Sequence, residues 1–198
     1  MKRYLPLFLS IPWAINVLAQ GTVVFENINV PAGLNAPVYE ADRITPLAGT
    51  QFIAELLGGP SPNSLTQVAT TGFQTGTGAG YFLGGVESIN TVAPRTTGWI
   101  EVEVWNTSSG GSFGQAQASG LPNSWWQSSV FSVTTGGGAV NPFPPAFLTG
   151  LGNSPVFLNG VVPEPSTFTL CVVGAVLVLL RSRRARAASF PRQETPGS

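Results

Sequence analysis

The chain has 198 residues, 43% apolar and only 9% charged, with nine acids balancing nine bases and no histidine. Lys2 is the sole lysine and Cys171 the sole cysteine. Beyond the first few residues there is thus no imidazole base, no Ser-His-Asp triad, no histidine metal site, no Schiff-base lysine and no intrachain disulfide.

The net charge of zero conceals a segregation. Residues 20–163 hold seven acids and two bases, a net of −5, while Arg181, Arg183, Arg184, Arg186 and Arg192 crowd the far end. This polarity suits a membrane arrangement rather than nucleic-acid binding, which needs its basic patch on the folded domain. The composition also calls for no cofactor.

In chain order, Met1-Lys2-Arg3 is a short cationic start to a mostly apolar run, 4–18, which closes on Val17-Leu18-Ala19. Charge, apolar run and small residues in that order predict a secretory signal peptide over 1–19, cut between Ala19 and Gln20. Pro6 and Pro12 argue against a buried N-terminal helix.

Residues 20–140 read as a β-rich exported domain. Strands are expected at 22–30, 51–57, 67–71, 80–83, 86–92, 97–105 and 128–134, with Gly, Pro, Asn and Ser clusters between them. No long segment has helical periodicity. The expected fold is all-β, a small sandwich-like ectodomain. Glu40, Asp42 and Arg43 read as a polar turn, with too few clustered oxygens for calcium.

The run 97–105 carries the one constellation of chemical interest. Alternation along a strand sends Ile100, Val102 and Val104 to a core, and Trp99, Glu101, Glu103 and Trp105 to the opposite surface. On one reading this surface is a sugar-binding platform, indoles stacking on rings and carboxylates bonding hydroxyls. On another it is a solvated face whose tryptophans cover a sheet edge or pack on Trp125 and Trp126. A carboxylate-based hydrolase is a third alternative. Against it, neighbours projecting in parallel do not flank a scissile bond at the separations near 5 or 8 Å that glycosidases use, and no third group tunes either carboxyl. No catalytic residue is assigned.

Residues 141–161 read as a Pro/Gly-rich linker, following three consecutive glycines, in which Phe143, Phe147 and Leu148 are able to tuck back and 156–158 can form a further strand. Val162-Pro163-Glu164-Pro165-Ser166-Thr167 then precedes thirteen uncharged residues, 168–180 (FTLCVVGAVLVLL), and the cluster Arg181, Arg183, Arg184 and Arg186. Thirteen helical residues span about 20 Å, less than a bilayer core. Arginines at the helix end can snorkel, however, and they hold that end in the cytoplasm. With a leader exporting what comes before, 168–180 reads as a stop-transfer transmembrane helix. Residues 187–198 form a polar tail.

These three contiguous parts over 162–186 resemble the C-terminal sorting signal of the PEP-CTERM family of bacterial exported proteins. The resemblance implies processing near the Pro-Glu-Pro motif by an exosortase, a membrane-embedded cysteine protease. It also implies a place at the cell surface or in a biofilm matrix rich in exopolysaccharide. The two prolines bias Val162 and Glu164 toward an extended form that a protease can bind. The expectation is a non-enzymatic structural protein of the cell surface or extracellular matrix, transiently membrane-anchored.

Overall fold

The computed structural model describes residues 20–138 and 142–159. The expectations for the signal peptide (1–19), the sorting motif and transmembrane helix (162–186) and the polar tail (187–198) lie outside the described residues. The strands are β1 (Gly21–Glu26), β2 (Ile28–Asn29), β3 (Leu34–Asn35), β4 (Val38–Tyr39), β5 (Gly49–Gly59), β6 (Thr66–Phe73), β7 (Leu83–Ile89) and β8 (Thr97–Asn106). A short helix, α1 (Phe113–Ala118), precedes β9 (Trp125–Gln127), β10 (Phe131–Thr134), β11 (Ala146–Phe147) and β12 (Val156–Phe157). The protein is all-β, as its alternating runs and turn chemistry predict.

One sheet has the order β11-β1-β7. The larger one runs β10-β8-β5-β6, with β9 also pairing β8. In β1 the alternation of TVVFE sends Val23 and Phe25 inward. In the larger sheet the register sets Ala54 opposite Val104 and Leu56 opposite Val102, all four fully buried. The inner faces of both sheets meet in one core. Four phenylalanines cross it in sequence: Phe25 to Phe82 at 5.0 Å, Phe82 to Phe73 at 5.7 Å and Phe73 to Phe52 at 6.5 Å between ring centres. Burying such side chains contributes roughly 2 kcal/mol each.

One buried polar residue is built into this core. Asn27, 1% exposed, donates its side-chain amide to the carbonyls of Ala36 (2.8 Å) and Gly80 (3.0 Å) and accepts from the Phe82 N–H (2.8 Å). All of these partners are backbone groups.

The segment expected as a linker belongs to the body, and this corrects the sequence reading through residue 159. β11 pairs in parallel with β1 (Val23 with Ala146), and β12 in parallel with β4 (Val156 with Val38). Leu148 and Leu158 are buried in the core. The glycines before the segment are no hinge: Gly136 pairs with Thr22, and a Cβ on it would stand 2.1 Å from the Pro144 carbonyl oxygen. Here glycine serves close backbone approach. The two arginines of the body clasp the same segment, Arg43 5.3 Å from the Phe157 ring centre and Arg95 4.9 Å from that of Phe143.

Asn159 is tied to the segment 121–125. Its side-chain oxygen accepts from the backbone N–H groups of Ser124 (2.8 Å) and Trp125 (2.9 Å), and its amide donates to the Leu121 carbonyl (2.8 Å). Its own N–H donates to the Trp125 carbonyl at 2.9 Å, and its carbonyl accepts from Asn123 at 2.8 Å. Nearby, Asn123 accepts from the Ala41 N–H (2.8 Å) and donates to the Glu40 carboxylate (2.5 Å). Asp42 makes the turn foreseen for 40–43, accepting from the N–H groups of Ile44 and Thr45 (both 2.9 Å) and from the Thr45 hydroxyl (2.6 Å). These bonds, the hydroxyl's first, hold its carboxyl below the ordinary value.

Candidate functional site

The outer face of the larger sheet gathers the acids. β8 supplies Glu101 and Glu103 there, as the alternation of 97–105 requires, while Ile100, Val102 and Val104 lie fully buried beneath. β5 supplies a third, Glu55, in direct cross-strand register with Glu103. β9 adds Gln127, opposite Glu103 on the other side. The Gln127 amide donates to Glu101 at 2.6 Å and, in a longer contact, to Glu103 at 3.4 Å. Neither Glu55 nor Gln127 is foreseen from the sequence. Both sit at outward positions of alternating runs, but only strand register brings them to β8.

No base faces this group among the described residues: Arg43 and Arg95 lie against Phe157 and Phe143. Like charges in direct cross-strand register repel. Burial first, then Glu55 and Glu101, pushes the Glu103 carboxyl up to about 7, and burial raises Glu55 as well. The sequence reading found no third group to tune these carboxyls; Glu55 is that group, supplied by β5. Near neutrality Glu103 is therefore partly protonated, and the face offers both a carboxyl donor and carboxylate acceptors. The carboxyls still rise side by side from one sheet surface and do not flank a bond from two sides.

The two indoles separate. Trp99 stays partly exposed at the Gly59 end of β8, beside the acids. Trp105, expected as a second platform, is 6% exposed. It packs with Phe113 and Ala116 of α1, Ile53 and Trp125, and Phe113 stands edge-on to Trp125 at 5.7 Å. Alternation places Trp105 on the outer face correctly, yet α1 covers that end of the sheet. Its indole N–H is buried without a partner. The quartet Trp99, Glu101, Glu103 and Trp105 thus reduces to Trp99 and the two acids, joined by Glu55 and Gln127. Trp126 points inward onto the main core.

The helix α1 is also absent from the sequence reading, though its start is legible. Ser112 caps it by accepting from the Gln115 N–H (3.4 Å), and Gln115 reaches back to accept from the Gly111 N–H (2.8 Å). Ser-x-x-Gln is the spacing of a capping box.

Among the described residues, no set of Asp, Glu, Cys or His side chains gathers closely enough to hold a metal ion. No described helix is long and apolar enough to cross a membrane. Comparison with protein-family models, with curated proteins and with solved structures finds no match.

Proposed function

We propose that the chain is an exported, non-enzymatic structural protein of the bacterial cell surface or extracellular matrix. In this reading a signal peptide (1–19) exports a sandwich-like ectodomain. A PEP-CTERM signal then holds it by a short transmembrane helix (168–180) until an exosortase acts near Pro163-Glu164-Pro165. The observation that carries the reading is the contiguous motif, apolar run and arginine cluster over 162–186, in a chain that opens with a leader.

The described strands are compatible with it. β1 begins at Gly21, just past the expected cut after Ala19, and Asn159, before Val162, is still tied to the body. Removal of both addresses would leave every described strand in place. Mass spectrometry of the protein from its native host tests the proposal. It expects a chain starting at Gln20 and shortened near Pro163. A cytosolic chain retaining Met1 and the residues past Arg186 overturns it.

The acidic face favours a second reading, binding of an envelope polysaccharide. Glu101, Glu103 and Gln127 offer acceptors and donors to sugar hydroxyls, and Trp99 offers one ring for stacking. Titration of envelope polysaccharides against Trp fluorescence, repeated with Trp99→Ala and Gln127→Ala, tests it; binding unchanged in both variants removes it. A hydrolase, the third alternative, requires turnover on a glycan panel that Glu101→Gln or Glu103→Gln abolishes.

A further inference from the structure

Asn159 is the only asparagine in the chain that a glycine follows; every other one precedes a residue that carries a Cβ. The pairing is chemically labile. The main-chain nitrogen of the following residue can attack the asparagine side-chain carbon Cγ, and glycine puts no side chain in the way. Closing that ring draws Cγ into covalent contact with the nitrogen and expels Nδ2.

In the folded body every polar atom of Asn159 is engaged. Oδ1 accepts from the Ser124 and Trp125 N–H groups at 2.8 and 2.9 Å, and Nδ2 donates to the Leu121 carbonyl at 2.8 Å. The main-chain N–H donates to the Trp125 carbonyl (2.9 Å), and the carbonyl of Asn159 accepts from the Asn123 N–H (2.8 Å). Ring closure moves Cγ and removes Nδ2, so it breaks the bonds that hold the side chain. Proteins open locally as well as globally, at a free energy set by the bonds that each opening breaks. Asn159 is itself partly exposed, so water reaches it once the tie to 121–125 is lost.

We propose that Asn159-Gly160 is a deamidation site guarded by the fold. It stays intact while Asn159 is tied to 121–125, converts when that tie opens, and by converting makes the opening permanent. In the open state water or hydroxide takes the Gly160 amide proton, and the nitrogen bonds to Cγ. The Cγ–Nδ2 bond then breaks, and Nδ2 leaves as ammonia with a proton drawn from water. Water opens the five-membered ring at either of its carbonyls. Attack at Cγ gives aspartate; attack at the main-chain carbonyl gives isoaspartate, whose chain runs through Cγ. Neither product restores the tie. Both lack the amide that donates to Leu121 and bring a carboxylate to its carbonyl, and isoaspartate also lengthens the main chain by one carbon. The inference goes beyond the proposed export and does not rest on it: conversion is read on purified protein, sorting in the host.

Incubation of the full wild-type chain at mildly alkaline pH, in non-ionic detergent with and without concentrated urea, tests it. Mass spectrometry of the peptide spanning Asn159 should show conversion of amide to acid about tenfold or more slower without urea. Converted chains carry one more negative charge, so ion exchange separates them. After refolding they should exchange the Ser124 and Trp125 amides about tenfold faster than unconverted chains taken through the same steps. Equal conversion with and without urea overturns the proposal, because the tie then guards nothing. No conversion in urea overturns it as well. So does converted protein whose exchange at those two amides is unchanged, since the opening would not be permanent.

Discussion

Glu55 stands directly opposite Glu103 across β5 and β8, two carboxyls in register on a face that no arginine reaches among the described residues. Partial burial raises both groups, and the neighbouring Glu55 and Glu101 add to it for Glu103, which is pushed up to about 7. A carboxyl raised on folding binds its proton more tightly in the native state than in the unfolded chain. The stability that it contributes is full below its unfolded value near 4.5 and is lost as pH rises through about 7. Because the side chain is only partly buried, solvent screening limits the effect to about 1 kcal/mol. Glu103→Gln should flatten the decline in melting temperature between those pH values and melt about 3 °C above wild type at pH 8. Thermal unfolding by circular dichroism across that range checks it.

Trp105 and Trp99 share one face of β8 but should answer truncation differently. Trp105→Ala empties the small cluster under α1 and should cost about 3–5 kcal/mol. Trp105→Phe keeps a ring and removes the orphaned indole N–H, so its cost should stay within about 1 kcal/mol. Trp99→Ala, at a partly exposed site, should also stay within about 1 kcal/mol. Urea unfolding of the three variants distinguishes a covered packing site from an open platform.

Asn159→Ala removes the acceptor shared by the Ser124 and Trp125 N–H groups and the donor to Leu121. Orphaning the two N–H groups should cost about 2–3 kcal/mol. The loss should be accompanied by faster amide exchange at Ser124 and Trp125, readable by mass spectrometry.

Gly136→Ala drives a Cβ into the Pro144 carbonyl, a backbone group that cannot swing aside. Destabilisation of about 3 kcal/mol is expected, with limited proteolysis newly cutting within 142–159. Unchanged resistance to protease would mean that the segment is not held where β11 places it.

The long strands were legible because their burial alternates. Ile100, Val102 and Val104 on β8, and Ala54 and Leu56 on β5, follow the period of two that a half-buried sheet imposes. What stayed hidden has physical reasons. β3, β4, β11 and β12 have two residues each, too few for any period, and β11 follows Pro144-Pro145, which reads as linker although proline is tolerated beside an edge strand. Alternation told which face of β8 carries Trp105 but not that α1 would cover it. Glu55 lies 48 positions from Glu103 in the chain, and only the antiparallel register between their strands makes them neighbours. A single sequence carries no signal for that.

The parallel pairings at the end of the body bear on when it can form at all. Val23 waits for Ala146 and Val38 for Val156, so strands made first find their partners only when the last of the body has emerged. Contacts this distant in sequence form slowly. A chain emerging from its amino end, as in synthesis or threading across a membrane, therefore keeps an incomplete first sheet until Phe147 arrives, and an unpaired β4 until Phe157 does. The topology delays closure, and a chain halted part-way remains loose enough to keep moving.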